Sequence, residues 1–131
     1  MRDNSWLEKR LDIIWNKYFT DVPRKNRVSI RFGRAATYRF GSIRQSYIDV
    51  STQIIINGRF KSSNLPQRIV DHTIAHELVH YAQGFSSPHP RLHRYPHRGG
   101  VIDKELSERG LAHLVAFYKR WVKNYIERLK L

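Results

Sequence analysis

The segment His76-Glu77-Leu78-Val79-His80 constrains this chain more than any other feature, because it lies in an apolar run with helical spacing. Side chains four residues apart share a face of a helix, so both imidazoles can bind one metal ion. The glutamate beside the first histidine can reach a water on that ion without being a ligand. Buried polar groups need partners, and a metal supplies them. The pattern favours a zinc site in which His76 and His80 are ligands and Glu77 is the general base of peptide hydrolysis.

Length and composition indicate a single globular domain over residues 1–131. The chain is 40% hydrophobic and 12% aromatic, which is enough to bury a core. It has no cysteine, which excludes disulfides, a cysteine-bound zinc and a thiol nucleophile. No run has the length of a membrane span, and the N-terminus lacks the apolar stretch of a signal peptide. We therefore expect an intracellular protein that is monomeric and does not act on membranes.

Positive charge is the second strong signal. The chain has 24 Lys and Arg against 11 Asp and Glu, a net charge of +13. Such an excess attracts polyanions, although a solvated surface, a membrane surface or an acidic protein partner are alternative explanations. Between residues 22 and 48 there is no acid, and we predict DNA contacts, single- or double-stranded, from the basic residues there. These are Arg24, Lys25, Arg27, Arg31, Arg34, Arg39 and Arg44.

Hydrophobic periodicity predicts an α+β domain. A small, mostly antiparallel sheet is expected to pack on the motif helix, with further helices at both ends of the chain. Asn64 is the expected N-cap of the motif helix, which Gln83-Gly84 ends. The predicted helices cover residues 5–19, about 64–83, 101–109 and 111–131, and the predicted strands cover 28–32, 38–44 and 53–56.

A catalytic zinc needs a third protein ligand and an open position for water. Three histidines follow the motif in a loop rich in proline and arginine, namely His89, His93 and His97. Glu105 and Glu108 on the next predicted helix are carboxylate alternatives. His97 is favoured because it directly precedes that helix, where regular structure would hold a ligand in place.

From about residue 31 to residue 110 the chain resembles the SprT-like, or Spartan-like, metalloprotease domain. Residues 38–43 resemble the R-x-G-S segment of that family, and residues 53–57 the strand that leads to its metal helix. Residues 71–80 are similar to its T-x-x-H-E-x-x-H helix, and residues 97–101 stand where its H-G-x-x-F element would be. Arg98 replaces the usual glycine, Val101 replaces a larger aromatic residue, and the family's cysteine-bearing zinc ribbon is absent.

The resemblance implies one catalytic Zn²⁺ held by His76, His80 and His97, with Glu77 as the base. It also implies proteolysis of protein substrates that are associated with DNA or crosslinked to it. Two other readings remain: a nucleic-acid-binding protein with a structural or latent zinc site, and a metal-dependent hydrolase of a non-peptide bond. A fourth protein ligand, for which His89 or His93 could serve, would support the first of these.

Several polar residues near the motif have no assigned role at this point. His72 lies one turn before His76, where a core or surface histidine is the simpler explanation. Asp103 or Glu105 could orient a ligand imidazole. An oxyanion could be stabilised by a tyrosine, and the sequence does not select among Tyr38, Tyr81 and Tyr95.

Overall fold

Four α-helices and a three-stranded sheet form an α+β fold, as predicted, in a computed structural model that describes residues 1–130. The last residue of the predicted C-terminal helix lies outside this range. None of the helices described is long and apolar enough to cross a membrane. The helices are α1 (Asn4–Tyr18), α2 (Gln67–Ala82), α3 (Val101–Glu108) and α4 (Ala112–Leu129), and the strands are β1 (Val28–Phe32), β2 (Gly41–Gln45) and β3 (Thr52–Ile56).

The sheet is mixed, whereas the sequence predicted a mostly antiparallel one. The strand order is β1-β3-β2, with β3 antiparallel to β2 and parallel to β1. The chain leaves β1, crosses to the far side of the sheet and returns as a β2–β3 hairpin that inserts β3 beside β1. Because β3 is in the centre, β2 has one edge without a strand partner.

One face of the sheet forms the core, and the other is open. Side chains alternate along a strand, so every second residue of each strand points inward. The inward set is apolar and buried, and it packs against α1 and α2: Ile30, Phe32, Ile43, Ile54 and Ile56. The outward set contains Ser29, Arg31, Arg44 and Gln53.

Helix α2 is fastened to the N-terminal part of the chain by charged side chains. Arg10 on α1 donates two hydrogen bonds to the Asp71 carboxylate, both 2.9 Å long. Arg2 donates to the carbonyls of Phe60, Ser62 and Leu65, which precede α2. These hydrogen bonds offset the desolvation cost of placing a charged group against the core.

Two boundaries differ from the predicted ones for local reasons. Pro66, not Asn64, is the N-cap residue of α2, and it makes no side-chain capping bond. Strand β2 begins at Gly41, and the backbone of residues 36–39 before it is held by the side chain of Asn57. The amide of buried Asn57 donates to the carbonyls of Ala36 and Arg39, at 2.7 and 2.9 Å.

Phe40 fixes the segment before β2 against α4. Its ring makes edge-on contacts with four aromatic rings at centroid distances of 5.3 to 6.0 Å. These belong to Phe60, Tyr118, Trp121 and Tyr125. Tyr125 also donates a hydrogen bond of 2.8 Å to the Thr37 carbonyl. The C-terminal helix therefore positions a segment that is distant in the sequence.

Gly41 allows β2 to lie unusually close to α2. A Cβ atom at this position would stand 2.6 Å from Cγ2 of Thr73 and 3.6 Å from Oε1 of Glu77. Thr73 cannot easily yield, because its hydroxyl donates a 2.8 Å hydrogen bond to the Ile69 carbonyl. The absence of a side chain at residue 41 thus brings the sheet edge next to Glu77.

We expect Gly41→Ala to destabilise the protein by about 1–3 kcal/mol, as overpacking does in a tight core. Thr73→Ser removes the clashing methyl group and keeps the hydroxyl. The double variant should therefore recover much of the loss, giving a coupling free energy of about 1 kcal/mol or more in a double-mutant cycle measured by urea unfolding. Additive effects of the two substitutions would contradict the close contact.

Candidate metal centre

Helix α2 contains the polar residues of the motif, although other helices and strands pack against it on nearly every side. It contacts α1, α3, α4 and the strands β2 and β3. Glu77 and His80 are only 5% and 2% exposed, and His76 is half-buried. An amphipathic surface helix would direct such groups to water, so their burial here calls for partners.

Three histidine rings lie side by side at one end of this helix. The ring centroids of His76 and His80 are 4.9 Å apart, and those of His80 and His97 are 4.6 Å apart. Phe85 packs against His80 and His97 at 5.1 and 5.9 Å. His97 itself lies on the exposed loop before α3. The structure therefore brings the favoured third ligand of the sequence prediction next to the helical pair.

The three histidines are residues of the type that binds zinc, but their side chains do not converge on one point. Within residues 1–130, no three His, Asp or Glu side chains stand in a group that could by itself hold a metal ion. Nδ1 of His80 is nevertheless buried without a hydrogen-bond partner. An imidazole left without a protein partner beside two others is the chemistry expected of a nitrogen-ligand site. Histidine nitrogens are ligands that zinc prefers, and the unpartnered nitrogen of His80 is the observation in favour of an ion at this place.

Two of the other candidate ligands, His89 and Glu105, are engaged elsewhere. Nε2 of His89 is 2.8 Å from the Pro23 carbonyl oxygen, and its ring lies against Tyr81. Glu105 accepts hydrogen bonds from Gln83 and Arg109. The ring of His93, in the part of the chain described, is not stacked against His80. His97 is thus the best placed of the alternatives.

Burial sets the electrostatics of the site. It raises the pKa of Glu77 to about 7, while the nearby Arg39 opposes the shift. It also lowers the pKa of His80 to about 3, with smaller contributions from His76 and His97. Neutral imidazoles are the form that binds a metal, and a carboxyl group that titrates near neutral pH suits proton transfer.

A cleft of about 220 Å³ opens beside Glu77. It lies between α2, α4 and the segment that leads into β2. This volume is smaller than the roughly 300–1,000 Å³ of a pocket for a whole drug-sized ligand, so it suits part of an extended one. The cleft is lined by Tyr38, Arg39, Phe40, Gly41, His72, Thr73, His76, Glu77 and Tyr118.

The edge of β2 that has no strand partner begins at this cleft, which Gly41 lines. Farther along that edge, Ser86 Oγ donates to the Ile43 carbonyl at 3.4 Å. The Asn57 N–H donates to the Phe40 carbonyl, and the Ser46 N–H donates to the Ser51 carbonyl, both at 2.8 Å. In an antiparallel pair such bonded positions alternate with outward-facing ones. The register therefore turns the backbone N–H and C=O of Gly41 and Ile43 away from β3. Gly41 presents these groups at the cleft itself.

Sequence reasoning missed two residues of the cleft. Tyr118 of α4 lines the cleft, and its ring stacks on that of His72 with a centroid distance of 4.0 Å and an interplanar angle of 11°. Arg39 was predicted to contact DNA. No local pattern could identify Tyr118, because it comes from a helix more than 40 residues after His72. For Arg39, the sequence pattern that could have indicated a place in the cleft was its position two residues before Gly41.

The structure distinguishes among the three tyrosines that were considered as donors to an oxyanion. Tyr81 is buried, donates to Asn26 and accepts from the Lys25 N–H, so it cannot serve. Tyr95 lies beneath the guanidinium groups of Arg94 and Arg98. Tyr38 is 72% exposed and lines the cleft.

The seven basic residues predicted to bind DNA do not form one surface. Arg24 pairs with Asp12 at 2.6 Å and stacks on Trp15, on the helical side of the molecule. Arg31 and Arg44 lie on the open face of the sheet, and Arg39 lines the cleft. Lys25, Arg27 and Arg34 are exposed.

Comparison of the chain with protein-family models, curated proteins and solved structures gave no match. The resemblance to the SprT-like family therefore rests on the motifs themselves.

His72 yields a prediction for pH dependence, because it is 3% exposed and neither ring nitrogen has a partner. Burial lowers its pKa to about 3, from 6.5. Below pH 6.5 the unfolded chain binds a proton that the folded protein does not, so the contribution of His72 to stability falls as the pH drops toward 3. The maximum slope is about 1.4 kcal/mol per pH unit.

We expect His72→Phe, which can keep the stacking on Tyr118, to remove this slope. Its stability advantage over wild type should grow between pH 7 and pH 5 when metal-free protein is unfolded with urea. His113→Gln, at an exposed position of α4, controls for the loss of a histidine as such. A stability difference that does not change with pH would show that His72 has a partner in the folded protein.

Proposed function

We propose that this protein is a zinc-dependent endopeptidase of the SprT type that acts on DNA-associated proteins. The observation that carries the proposal is the set of three adjacent histidine rings, with the buried Glu77 one residue after the first. A structural zinc site has no use for a carboxylate at that position, whereas hydrolysis requires one.

His76, His80 and His97 would hold the ion. When bound, zinc supplies an acidified water and polarises a substrate carbonyl group. The Glu77 carboxylate accepts one proton from the attacking water, whose oxygen forms a bond to the carbonyl carbon. Glu77 then donates this proton to the amide nitrogen as the C–N bond breaks, which releases an amine and a carboxylic acid.

The edge of β2 offers a way to bind an extended peptide. The outward N–H and C=O groups of Gly41 can pair with the main chain of a substrate strand, which would continue the sheet. Main-chain pairing makes few demands on side chains, and the small cleft accepts about one residue at a time. This supports broad sequence specificity.

The charge of +13 and the open sheet face support a location on nucleic acid. Arg31 and Arg44 lie on that face, and the adjacent hairpin presents Tyr47, whose side chain is fully exposed. Arginine pairs well with phosphate groups, and an exposed aromatic ring can stack on a base. The arrangement leaves the β2 edge free for a protein substrate.

We expect Glu77→Gln to reduce proteolysis of casein by about 10²–10⁴-fold, the usual contribution of a general base, while the zinc content stays the same. The measurement is a cleavage assay beside metal analysis of both proteins. His97→Ala should instead lower zinc affinity by more than the roughly 10–100-fold typical of a lost outer-shell partner. His89→Ala is the control, because that ring is bound to the Pro23 carbonyl. Equal cleavage by wild type and Glu77→Gln would disprove the proposed role.

We expect DNA to accelerate cleavage of a histone but not of a neutral peptide, because both histone and enzyme are basic and would meet on the polyanion. The acceleration should fall steeply between 50 and 200 mM salt, as counterion release requires. Rates are compared with and without DNA for both substrates at each salt concentration. If DNA does not change the rate of histone cleavage, and this rate depends on salt as the rate of peptide cleavage does, the enzyme does not act on nucleic acid.

A further inference from the structure

The cleft contains a cation whose position the DNA hypothesis does not explain. Arg39 is the only Lys or Arg among the residues that line it, together with His76 and Glu77. The other basic residues of this stretch do not line the cleft.

The guanidinium of Arg39 is uncommitted, although its backbone is fixed. Asn57 holds the Arg39 carbonyl at 2.9 Å, and the next residue, Phe40, is anchored among the aromatic rings of α4. Arg10, Arg24 and Arg109 all form ion pairs with carboxylates. Among the ion pairs found within residues 1–130, none involves Arg39. A rigid base with a free cationic end suits a group that acts on a bound substrate.

Peptide hydrolysis develops negative charge on the carbonyl oxygen of the substrate. A hydrogen-bond donor aimed at this charge accelerates the reaction, and a positively charged donor stabilises it more than a neutral one. The other cleft groups are less suitable. Both nitrogens of His72 are buried, and Tyr118 is stacked over that ring. Tyr38 lines the cleft but offers a single, uncharged donor. Arginine offers five donors and keeps its charge at any working pH.

We propose that Arg39 is a catalytic residue that donates hydrogen bonds to the substrate oxygen on which negative charge develops, and not a DNA contact. The inference rests on the proposed peptidase function. It predicts an effect on turnover in the absence of DNA, which a phosphate contact would not have.

The test compares zinc-loaded wild type, Arg39→Gln, Arg39→Lys and Arg120→Gln on a quenched fluorescent peptide without DNA. Arg120 is exposed on α4 and gives the same loss of charge. Arg39→Gln should lower kcat by about 10²–10³-fold with little change in KM, as for loss of an oxyanion donor. Arg39→Lys should recover part of the rate, and Arg120→Gln should match wild type. An unchanged kcat in Arg39→Gln, or a change confined to KM, would overturn the proposal.

A binding measurement separates this inference from the proposed function. A phosphinic peptide carries a negative tetrahedral centre, and its affinity for each zinc-loaded protein is measured by calorimetry. Arg39→Gln should weaken binding at least about tenfold, and Arg120→Gln should not. If wild type binds the phosphinic peptide through Arg39 but cleaves nothing, the peptidase function fails and the role of Arg39 as an anion donor stands. If wild type cleaves and Arg39→Gln does too, only the role of Arg39 fails. If wild type neither binds nor cleaves, both fail.

Discussion

The close contact between Gly41 and Thr73 sets the distance between the sheet and the helix that carries the candidate site. With no side chain at residue 41, β2 reaches α2, and its free edge ends beside Glu77. Any larger residue would separate the two elements and widen the cleft. Phe40 holds the same segment from the other side through the aromatic residues of α4. The start of β2 and the Glu77 carboxyl group therefore line one cleft because of a single packing constraint.

The same packing creates the unusual electrostatics of α2. Asp71, on the same helix, has its charge matched within the protein by Arg10. His80 has a buried nitrogen without such a partner, and burial shifts the pKa of Glu77 toward neutrality. Polar groups that are buried without partners cost stability, and they usually occur where a ligand or a reaction needs them. Asp71 thus has its partner within the protein, whereas Nδ1 of His80 has none.

Much of the fold could be predicted from local sequence patterns. The bounds of β1 are correct at both ends, and α1 and α2 are correct within a few residues, because helical and alternating periodicities act over short distances. The mixed sheet could not be predicted, since the insertion of β3 beside β1 is a matter of long-range packing. The predicted start of β2 was wrong. The residues just before Gly41 have a sequence pattern typical of a strand, but the side chains of Asn57 and Phe40 fix their position.

The sequence by itself determined the helical histidine pair and the glutamate between them, because their spacing fixes their relative position on any helix. It also determined the excess of positive charge and the exclusion of cysteine chemistry. Only the tertiary structure placed the ring of His97 beside that of His80, and Arg39 and Tyr118 in the cleft that Glu77 lines. The reason is physical: these residues come from a loop and from elements far apart in the chain, and their positions depend on how the sheet and helices pack together.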